Sequence, residues 1–285
     1  MNDHFVVEHK SAGKFLEVNH HKVFVFDKGE GVPVVCFHGV PASSYLYRRV
    51  IDRLAANKVR GISFDLIGMG LSDRPLDYDY SWTGLGNWSV EVIKKLNLGK
   101  FHVVLHDIGG PIACEVMAKI PEQILSVTIL NTMLVNLPRF QKPFPMWFFP
   151  YYGIGEIFVA MTNAFMLQKL MHFRGINKKE AFGLKEAKTY LKFLKGNNRG
   201  KSFLKIMRGF EATKEKEKLY LDTLIQLNVP KQIIWGETDK GLTYKQYGLP
   251  LKEVLGITKV TKTKGSHFLQ EDYSEVISDK LLEFI

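Results

Sequence analysis

The chain has 285 residues, of which 46% are hydrophobic and 24% are charged, and its formal net charge is +10. These values are typical of one large ordered core with an insertion, and they exclude a disordered or low-complexity protein. Lysine-rich segments such as residues 214–218 supply much of the positive charge and are typical of solvated helix faces, so without a nucleic-acid motif we expect no nucleic-acid partner.

The N-terminal segment and the longest apolar stretch bear on the cellular compartment of the chain and on whether it enters a membrane. Residues 1–10 lack the charged and then apolar regions of a signal peptide, so a cytoplasmic location is expected. Residues 144–166 are apolar but are interrupted by prolines, glycines and Glu156, which favours a lid over a membrane helix. We therefore expect no stable membrane insertion. Cys36 and Cys114 lack the spacing of a metal site and read as small buried side chains.

The first part of the chain alternates between strand and helix patterns. Nearly continuous apolar runs in several of the strands are typical of strands that are covered on both faces. The alternation predicts a mostly parallel sheet flanked by helices. Strands are predicted at residues 15–18, 22–26, 32–37, 61–66, 101–105 and 125–131, and helices at residues 43–56, within 82–96 and from 109 onward.

The alternation stops near residue 134, and a helical and aromatic pattern extends to residue 226. Strand and helix patterns then resume at residues 231–235, 244–255, 258–263 and 271–285. The later strands must rejoin the first sheet because their apolar side chains need both faces buried. We therefore predict an α/β core formed by residues 1–133 and 227–285, with an inserted helical cap at residues 134–226.

Asp107 stands where the strand at residues 101–105 turns abruptly into a helix. Such a turn exposes its side chain beside the helix N-terminus, and Gly109 lets the two backbones approach. Asp107 is therefore either a helix N-cap or a nucleophile, and a carboxylate nucleophile attacks saturated, electrophilic carbon. Functional groups gather at the carboxyl ends of parallel strands. Polar segments follow other predicted strands at residues 38–41, 236–239 and 265–268.

These motifs together resemble the α/β-hydrolase fold, and specifically the branch of haloalkane dehalogenases and epoxide hydrolases that use an aspartate nucleophile. Residues 38–41, His-Gly-Val-Pro, are similar to the oxyanion-loop motif of that branch. Residues 65–75 and 266–272 resemble the dehalogenases around their glycine loop and last histidine. The resemblance covers roughly residues 15–132 and 228–285 and is weak over the cap.

The resemblance implies a catalytic triad of Asp107, Asp239 and His267, in the order nucleophile, acid and histidine. His267 would take a proton from water while Asp239 holds its imidazole in place. Glu237 competes with Asp239 for the role of the acid. Some members of the branch take the acid from the segment before the cap, but residues 124–155 contain no Asp or Glu, which favours Asp239.

The oxyanion and leaving-group residues follow from the same resemblance. The backbone N–H groups of Val40 and Ile108 would point at the Asp107 carboxylate and later at an oxyanion, and His38 would stabilise the oxyanion loop. Dehalogenases typically bind the halide with side-chain donors at these two positions, but Val and Ile side chains cannot donate. Trp147 in the cap either replaces one donor or only packs there.

Epoxide hydrolases assist their leaving oxygen with tyrosine hydroxyls from the cap. The cap contains Tyr151, Tyr152, Tyr190 and Tyr220, and we take Tyr190 and Tyr152 as the candidates. Donor chemistry thus favours an epoxide hydrolase narrowly, whereas the general sequence resemblance favours a haloalkane dehalogenase. A non-catalytic protein that binds a small ligand is the third hypothesis. The aromatic cap suits a small apolar or aromatic organic substrate, which would react with water without a metal or an organic cofactor.

Overall fold

The computed structural model describes residues 4–285, and its centre is a single eight-stranded sheet. The strands are β1 Lys14–Val18, β2 His21–Lys28, β3 Pro33–Phe37, β4 Arg60–Phe64, β5 Phe101–Asp107, β6 Ile124–Thr132, β7 Lys231–Gly236 and β8 Lys259–Thr263. They lie in the order β1-β2-β4-β3-β5-β6-β7-β8. The pairs β1–β2 and β2–β4 are antiparallel, and the others are parallel. The predicted mostly parallel sheet is confirmed. The first and last residues of each strand lie within two positions of those predicted.

Helices cover both faces of this sheet, as its apolar strands require. The α-helices are α1 His4–Ser11, α2 Arg48–Ala56, α3 Trp82–Leu96, α4 Gly109–Met117, α5 Ile154–Met161, α6 Ala164–Arg174, α7 Leu184–Lys195, α8 Lys201–Arg208, α9 Lys214–Gln226, α10 Leu249–Val254, α11 Leu269–Asp272 and α12 Ser274–Leu282. The sequence did not indicate α1, which buries only Val6 and His9 and so carries little apolar periodicity. The single helix predicted at residues 271–285 is wrong in one respect, because Tyr273 separates α11 from α12.

Residues 134–226 form the helices α5 to α9 and contain no strand where the structure describes them. Several hydrogen bonds tie this segment to the core, including those of Arg74 and Tyr220. Arg74 of the glycine loop donates to Gly68 O at 2.7 Å and to Leu194 O in α7 at 3.2 Å. Tyr220 of α9 donates to Glu115 of α4 at 3.2 Å. Because α9 packs on a core helix, the boundary near residue 226 stays a prediction.

A buried ion pair within the core accepts a hydrogen bond from the cap. Arg48 donates to both carboxylate oxygens of Glu271, at 2.7 and 2.8 Å. The Tyr190 hydroxyl of α7 donates to the same carboxylate at 2.6 Å. The Glu271 side chain is inaccessible to solvent, so these bonds supply the partners that a buried carboxylate requires.

The helices over residues 4–285 are all too short or too polar to cross a lipid bilayer. The longest of them, α3, has 15 residues. This length is below the roughly 20 apolar residues that a membrane-spanning helix needs.

Candidate active site

Asp107 lies at the sharp turn between β5 and α4, with a φ of 53°. Two glycines make the turn possible. A Cβ on Gly109 would lie 2.3 Å from Phe37 O, and a Cβ on Gly39 would lie 2.2 Å from Asp107 Oδ1. The N-cap of α4 is Ile108, and no side chain caps this helix. The N-cap interpretation of Asp107 is therefore wrong, and its carboxylate points instead toward a cavity under the cap.

Backbone donors surround the Asp107 carboxylate. The Val40 N–H donates to Asp107 Oδ1 at 2.9 Å, and a hydrogen bond from the Ile108 backbone also lowers the carboxyl pKa. The loop that carries Val40 is held by His38. The Nε2 atom of His38 accepts from Leu66 N at 3.0 Å, while Nδ1 lies 2.9 Å from Gly39 O. This pattern requires a neutral ring with its proton on Nδ1, and burial lowers the His38 pKa accordingly.

His267 lies between the two aspartates that the sequence singled out. Its Nδ1 is 2.8 Å from Asp239 Oδ2, and its Nε2 is 3.3 Å from Asp107 Oδ2. Burial by itself would lower the His267 pKa, but the attraction of Asp239 and hydrogen bonds to both carboxylates raise it to about 10. Burial conversely would raise the Asp107 pKa, and the hydrogen bond and charge of His267 hold it below its usual range. The resting site is therefore an imidazolium between two carboxylates.

Asp239 is held by backbone and side-chain donors at the carboxyl end of β7. Its Oδ1 accepts from Gly241 N at 2.8 Å and from Leu242 N at 2.9 Å. Burial opposes ionisation, but the charge and hydrogen bond of His267, together with the Leu242 N–H, lower the Asp239 pKa to about 2. The competing acid Glu237 is half exposed and pairs with Lys262 at 3.2 Å. The structure thus brings Asp239, and not Glu237, to His267.

Asn131 is a member of the site that the sequence analysis missed. It lies fully buried near the carboxyl end of β6 and donates to Asp239 Oδ2 at 2.9 Å. Its Oδ1 accepts from Gly236 N at 2.8 Å, so it joins β6 to β7 beside the acid. A polar side chain within an apolar strand was the signal that could have identified it, since such a group needs buried partners.

Substitution of Asn131 with Leu should impair both stability and turnover. It removes one donor to Asp239 and leaves the buried Gly236 N–H without an acceptor, which costs about 1–3 kcal/mol of unfolding free energy. We also expect turnover to fall by roughly tenfold or more, since a looser Asp239 orients His267 less well. Urea unfolding and steady-state kinetics measure the two effects.

Ser126→Ala is the control, because Ser126 lies on the same strand but bonds His102 at 2.8 Å, so only stability should change. Wild-type turnover in Asn131→Leu would contradict this role.

The three acid and base side chains open onto one largely apolar cavity between the sheet and the cap. The cavity encloses about 1070 Å³ of empty space, including its open mouth. Apolar side chains form most of its wall, among them Met133, Phe140, Phe144, Met146, Phe149, Phe158, Leu170, Phe203 and Phe210. The polar side chains that line it are Asp107, Thr162, Arg174, Asp239 and His267.

The three cap residues predicted to assist a leaving group do not line this cavity. Tyr190 is buried, and its hydroxyl donates to Glu271. Tyr152 is 82% exposed, and Trp147 is 55% exposed and packs against the rings of Phe144 and Phe148. These three predictions are wrong, because the side chains are directed into the interface with the core or toward solvent.

The other two cap tyrosines are also outside the cavity. Tyr220 is buried against α4 through its bond to Glu115, and Tyr151 is 63% exposed. Within the described part of the chain, no tyrosine or tryptophan side chain therefore lines the cavity. The cavity therefore lacks the tyrosine hydroxyl donors on which the narrow preference for an epoxide hydrolase depended.

Comparison with known proteins agrees with this architecture. Residues 32–273 match the family described as alpha/beta hydrolase fold. A 156-residue segment is 36% identical to a cis-3-alkyl-4-alkyloxetan-2-one decarboxylase of Shewanella oneidensis, covering 53% of this chain and 48% of that protein. A 116-residue segment is 36% identical to a haloalkane dehalogenase of Psychrobacter cryohalolentis, covering 40% and 38%. The chain thus spans less than half the length of these two relatives in the matched segments.

A similarity of fold extends over nearly the whole chain. The crystal structure of an epoxide hydrolase from Vigna radiata superimposes with a TM-score of 0.77 at 22% sequence identity. The superposition covers 95% of this chain and 97% of that one. At this identity the match supports the fold, including the cap, and not the activity.

Proposed function

This chain belongs to the α/β-hydrolase fold family, and from that premise we propose that it hydrolyses a saturated, electrophilic carbon centre through an ester at Asp107. The observation that carries the proposal is the hydrogen-bonded series Asp107, His267 and Asp239 at the base of an apolar cavity. An ionised carboxylate with a cavity in front of it is a competent nucleophile. We further propose a small apolar or aromatic organic substrate, and water as the second reactant.

In the first step an Asp107 oxygen bonds to the substrate carbon, and the leaving group departs with the electron pair of the bond that breaks. The product is a neutral alkyl ester. The N–H of Val40 already donates to this carboxylate at 2.9 Å, and Ile108 supplies a second backbone donor. Both donors are therefore in place for the oxyanion that forms when the ester is attacked.

Ester formation also changes the basicity of His267. The negative charge of Asp107 and its hydrogen bond both raise the His267 pKa in the resting site. Both contributions weaken when Asp107 becomes a neutral ester, so the pKa falls and the imidazole can lose its proton. This proton balances the charge of the departing group. Neutral His267 then takes a proton from water, the hydroxide attacks the ester carbonyl, and collapse of the intermediate releases an alcohol and restores the Asp107 carboxylate.

A strained cyclic ether is the substrate class that we propose first. A halide that departs without its usual N–H donors loses about 1.5–3 kcal/mol for each missing charge-assisted hydrogen bond. Ring strain, in contrast, is supplied by the substrate itself. Opening of the ring still forms an alkoxide that must take a proton, and the imidazolium of His267 is the acid that could supply it. Haloalkane hydrolysis is the alternative.

A strained lactone is a second candidate, and the lack of hydroxyl donors from tyrosine in the cavity favours it. The relative from Shewanella oneidensis is named for an oxetan-2-one, a four-membered lactone. Attack by Asp107 on the ring carbon bonded to the ring oxygen would release a carboxylate, which needs no proton to depart. Loss of CO2 would then form an alkene and expel the Asp107 carboxylate, with no water consumed.

Product analysis with a matched set of alkyl substrates tests these assignments. We expect the protein to convert a terminal alkyl epoxide to its diol, measured by gas chromatography. Halide release from a 1-haloalkane would instead support the dehalogenase alternative, and alkene with CO2 from a cis-dialkyl-oxetan-2-one would support the lactone candidate. Binding of these compounds without any product would contradict the proposed catalysis and favour the non-catalytic hypothesis.

A further inference from the structure

Four side chains with full charges line the cavity, and one of them has no partner. Asp107, Asp239 and His267 bond to one another. Arg174, the last residue of α6, reaches the same cavity from the cap. Its Nε is buried without an acceptor, and its guanidinium forms no ion pair or hydrogen bond within residues 4–285. A buried donor without an acceptor costs about 1–3 kcal/mol, so an acceptor supplied by water or by a ligand in the cavity would be favoured at this partly exposed side chain.

The surroundings of Arg174 add positive charge and do not neutralise it. The guanidinium carbon lies 5.6 Å from the centroid of the Phe173 ring, and Lys240 Nζ lies 4.6 Å from the same centroid. Two cations therefore share one aromatic ring. Phe173 is 59% exposed, so this pair lies at the surface of the cap, next to the loop that carries His267, where Ser266 Oγ donates to Arg174 O at 2.8 Å.

The cavity is lined by charged groups of both signs. Two carboxylates and one imidazolium give the catalytic end a net charge of −1. These groups would repel an anionic ligand, whereas Arg174, with Lys240 nearby, would attract one. The rest of the wall is largely apolar, and Leu170, Met171 and Phe268 are among the side chains that form it. A molecule that matches this pattern has an alkyl body and one anionic end.

We propose that Arg174 binds the carboxylate of an amphiphilic substrate whose alkyl chain occupies the apolar cavity. A planar guanidinium with free N–H groups matches one carboxylate through two parallel hydrogen bonds. The inference rests on the proposed function only in placing the reacting carbon at Asp107. The substrate class that we infer is an alkyl chain with a carboxylate at one end.

Calorimetric titration with octanoate and 1-octanol tests this binding without any need for turnover. Wild-type protein should bind octanoate more tightly than 1-octanol, which has the same chain length and no charge. Arg174→Met should weaken octanoate binding by roughly tenfold or more, the effect of losing one charge-assisted contact, and leave 1-octanol binding unchanged. Arg174→Lys should restore part of the octanoate affinity, because it keeps the charge but loses the bidentate geometry.

Arg139→Met is the matched control, since Arg139 is exposed and does not line the cavity. It should bind both compounds as the wild type does. Equal affinity of the wild type for the two compounds, or unchanged octanoate binding in Arg174→Met, would overturn the proposal. An equal loss of both affinities in Arg174→Met would also overturn it, since Arg174 would then only maintain the shape of the cavity. A protein that passes this test but yields no product from reactive substrates would refute the proposed function alone.

Discussion

Substitution of Asp107 with Asn is expected to abolish turnover, by roughly 10⁴-fold or more, the range measured when a nucleophile is removed from a hydrolase. The amide has nearly the same shape as the carboxylate but is a much weaker nucleophile, so the first bond cannot form. Steady-state kinetics on a substrate that the wild type converts measures the loss. Asp77→Asn is the control, because Asp77 is exposed and lies outside the cavity.

The same variant should change the titration of His267. The pKa of about 10 arises partly from the hydrogen bond and charge of Asp107, which the amide removes. The His267 pKa should therefore fall in Asp107→Asn, while its bond to Asp239 remains. NMR titration of the imidazole measures this shift. Full activity in Asp107→Asn, or an unchanged His267 pKa, would show that Asp107 does not act on the substrate through this arrangement.

Substitution of His267 with Gln should stop the reaction after its first half. Asp107 can still attack, but no base remains to take the proton from water, so turnover should fall by roughly 10²- to 10⁴-fold, the usual contribution of a general base. The ester should then accumulate. Intact-protein mass spectrometry should detect a mass increase equal to the epoxide, or to the haloalkane less one hydrogen halide, and digestion should locate it on the peptide that contains Asp107.

Two comparisons make the trapping result specific. His20→Gln alters an exposed histidine away from the cavity and should give full turnover with no adduct. His267→Gln combined with Asp107→Asn should give no adduct, because the nucleophile is gone. Absence of an adduct in His267→Gln, with a substrate that the wild type converts to a diol or an alcohol, would defeat the covalent mechanism. An oxetan-2-one should not trap the protein, since its proposed second step requires no water.

Local sequence was sufficient to predict the sheet. Runs such as β3 are buried along their whole length, and this burial is visible as an uninterrupted apolar pattern. The turn at Asp107 is equally local, since it needs only a strand, small residues and a helix in succession. Helix α1 lacked such a pattern, and the break at Tyr273 has little sequence signal.

The sequence predicted those residues of the site that lie at the carboxyl ends of strands. Parallel strands bring their carboxyl ends to one edge, so Asp107, Asp239 and His267 were expected to lie close together. Asn131 also lies near such an end, but it was missed because no motif includes it. Its role depends on the pairing of β6 with β7, which are separated along the chain by the whole cap.

The cap is where prediction from sequence failed. Tyr190 was a reasonable donor by residue type, yet its hydroxyl meets Glu271, a residue 81 positions away along the chain. Arg174 was not singled out, because an arginine at the end of a helix is usually a favourable charge near the dipole. Which face of a cap helix meets the cavity depends on how several short helices pack, and residue type does not encode that orientation.

The sequence by itself determined the sheet, the turn that carries Asp107, and the order of the residues around it, because strand burial and tight turns depend on neighbouring residues. Only the tertiary structure decided that Asn131 supports Asp239, that the cap tyrosines face away from the cavity, and that an unpaired Arg174 faces into it. Each of these contacts joins side chains from distant parts of the chain, and their directions are set by helix packing.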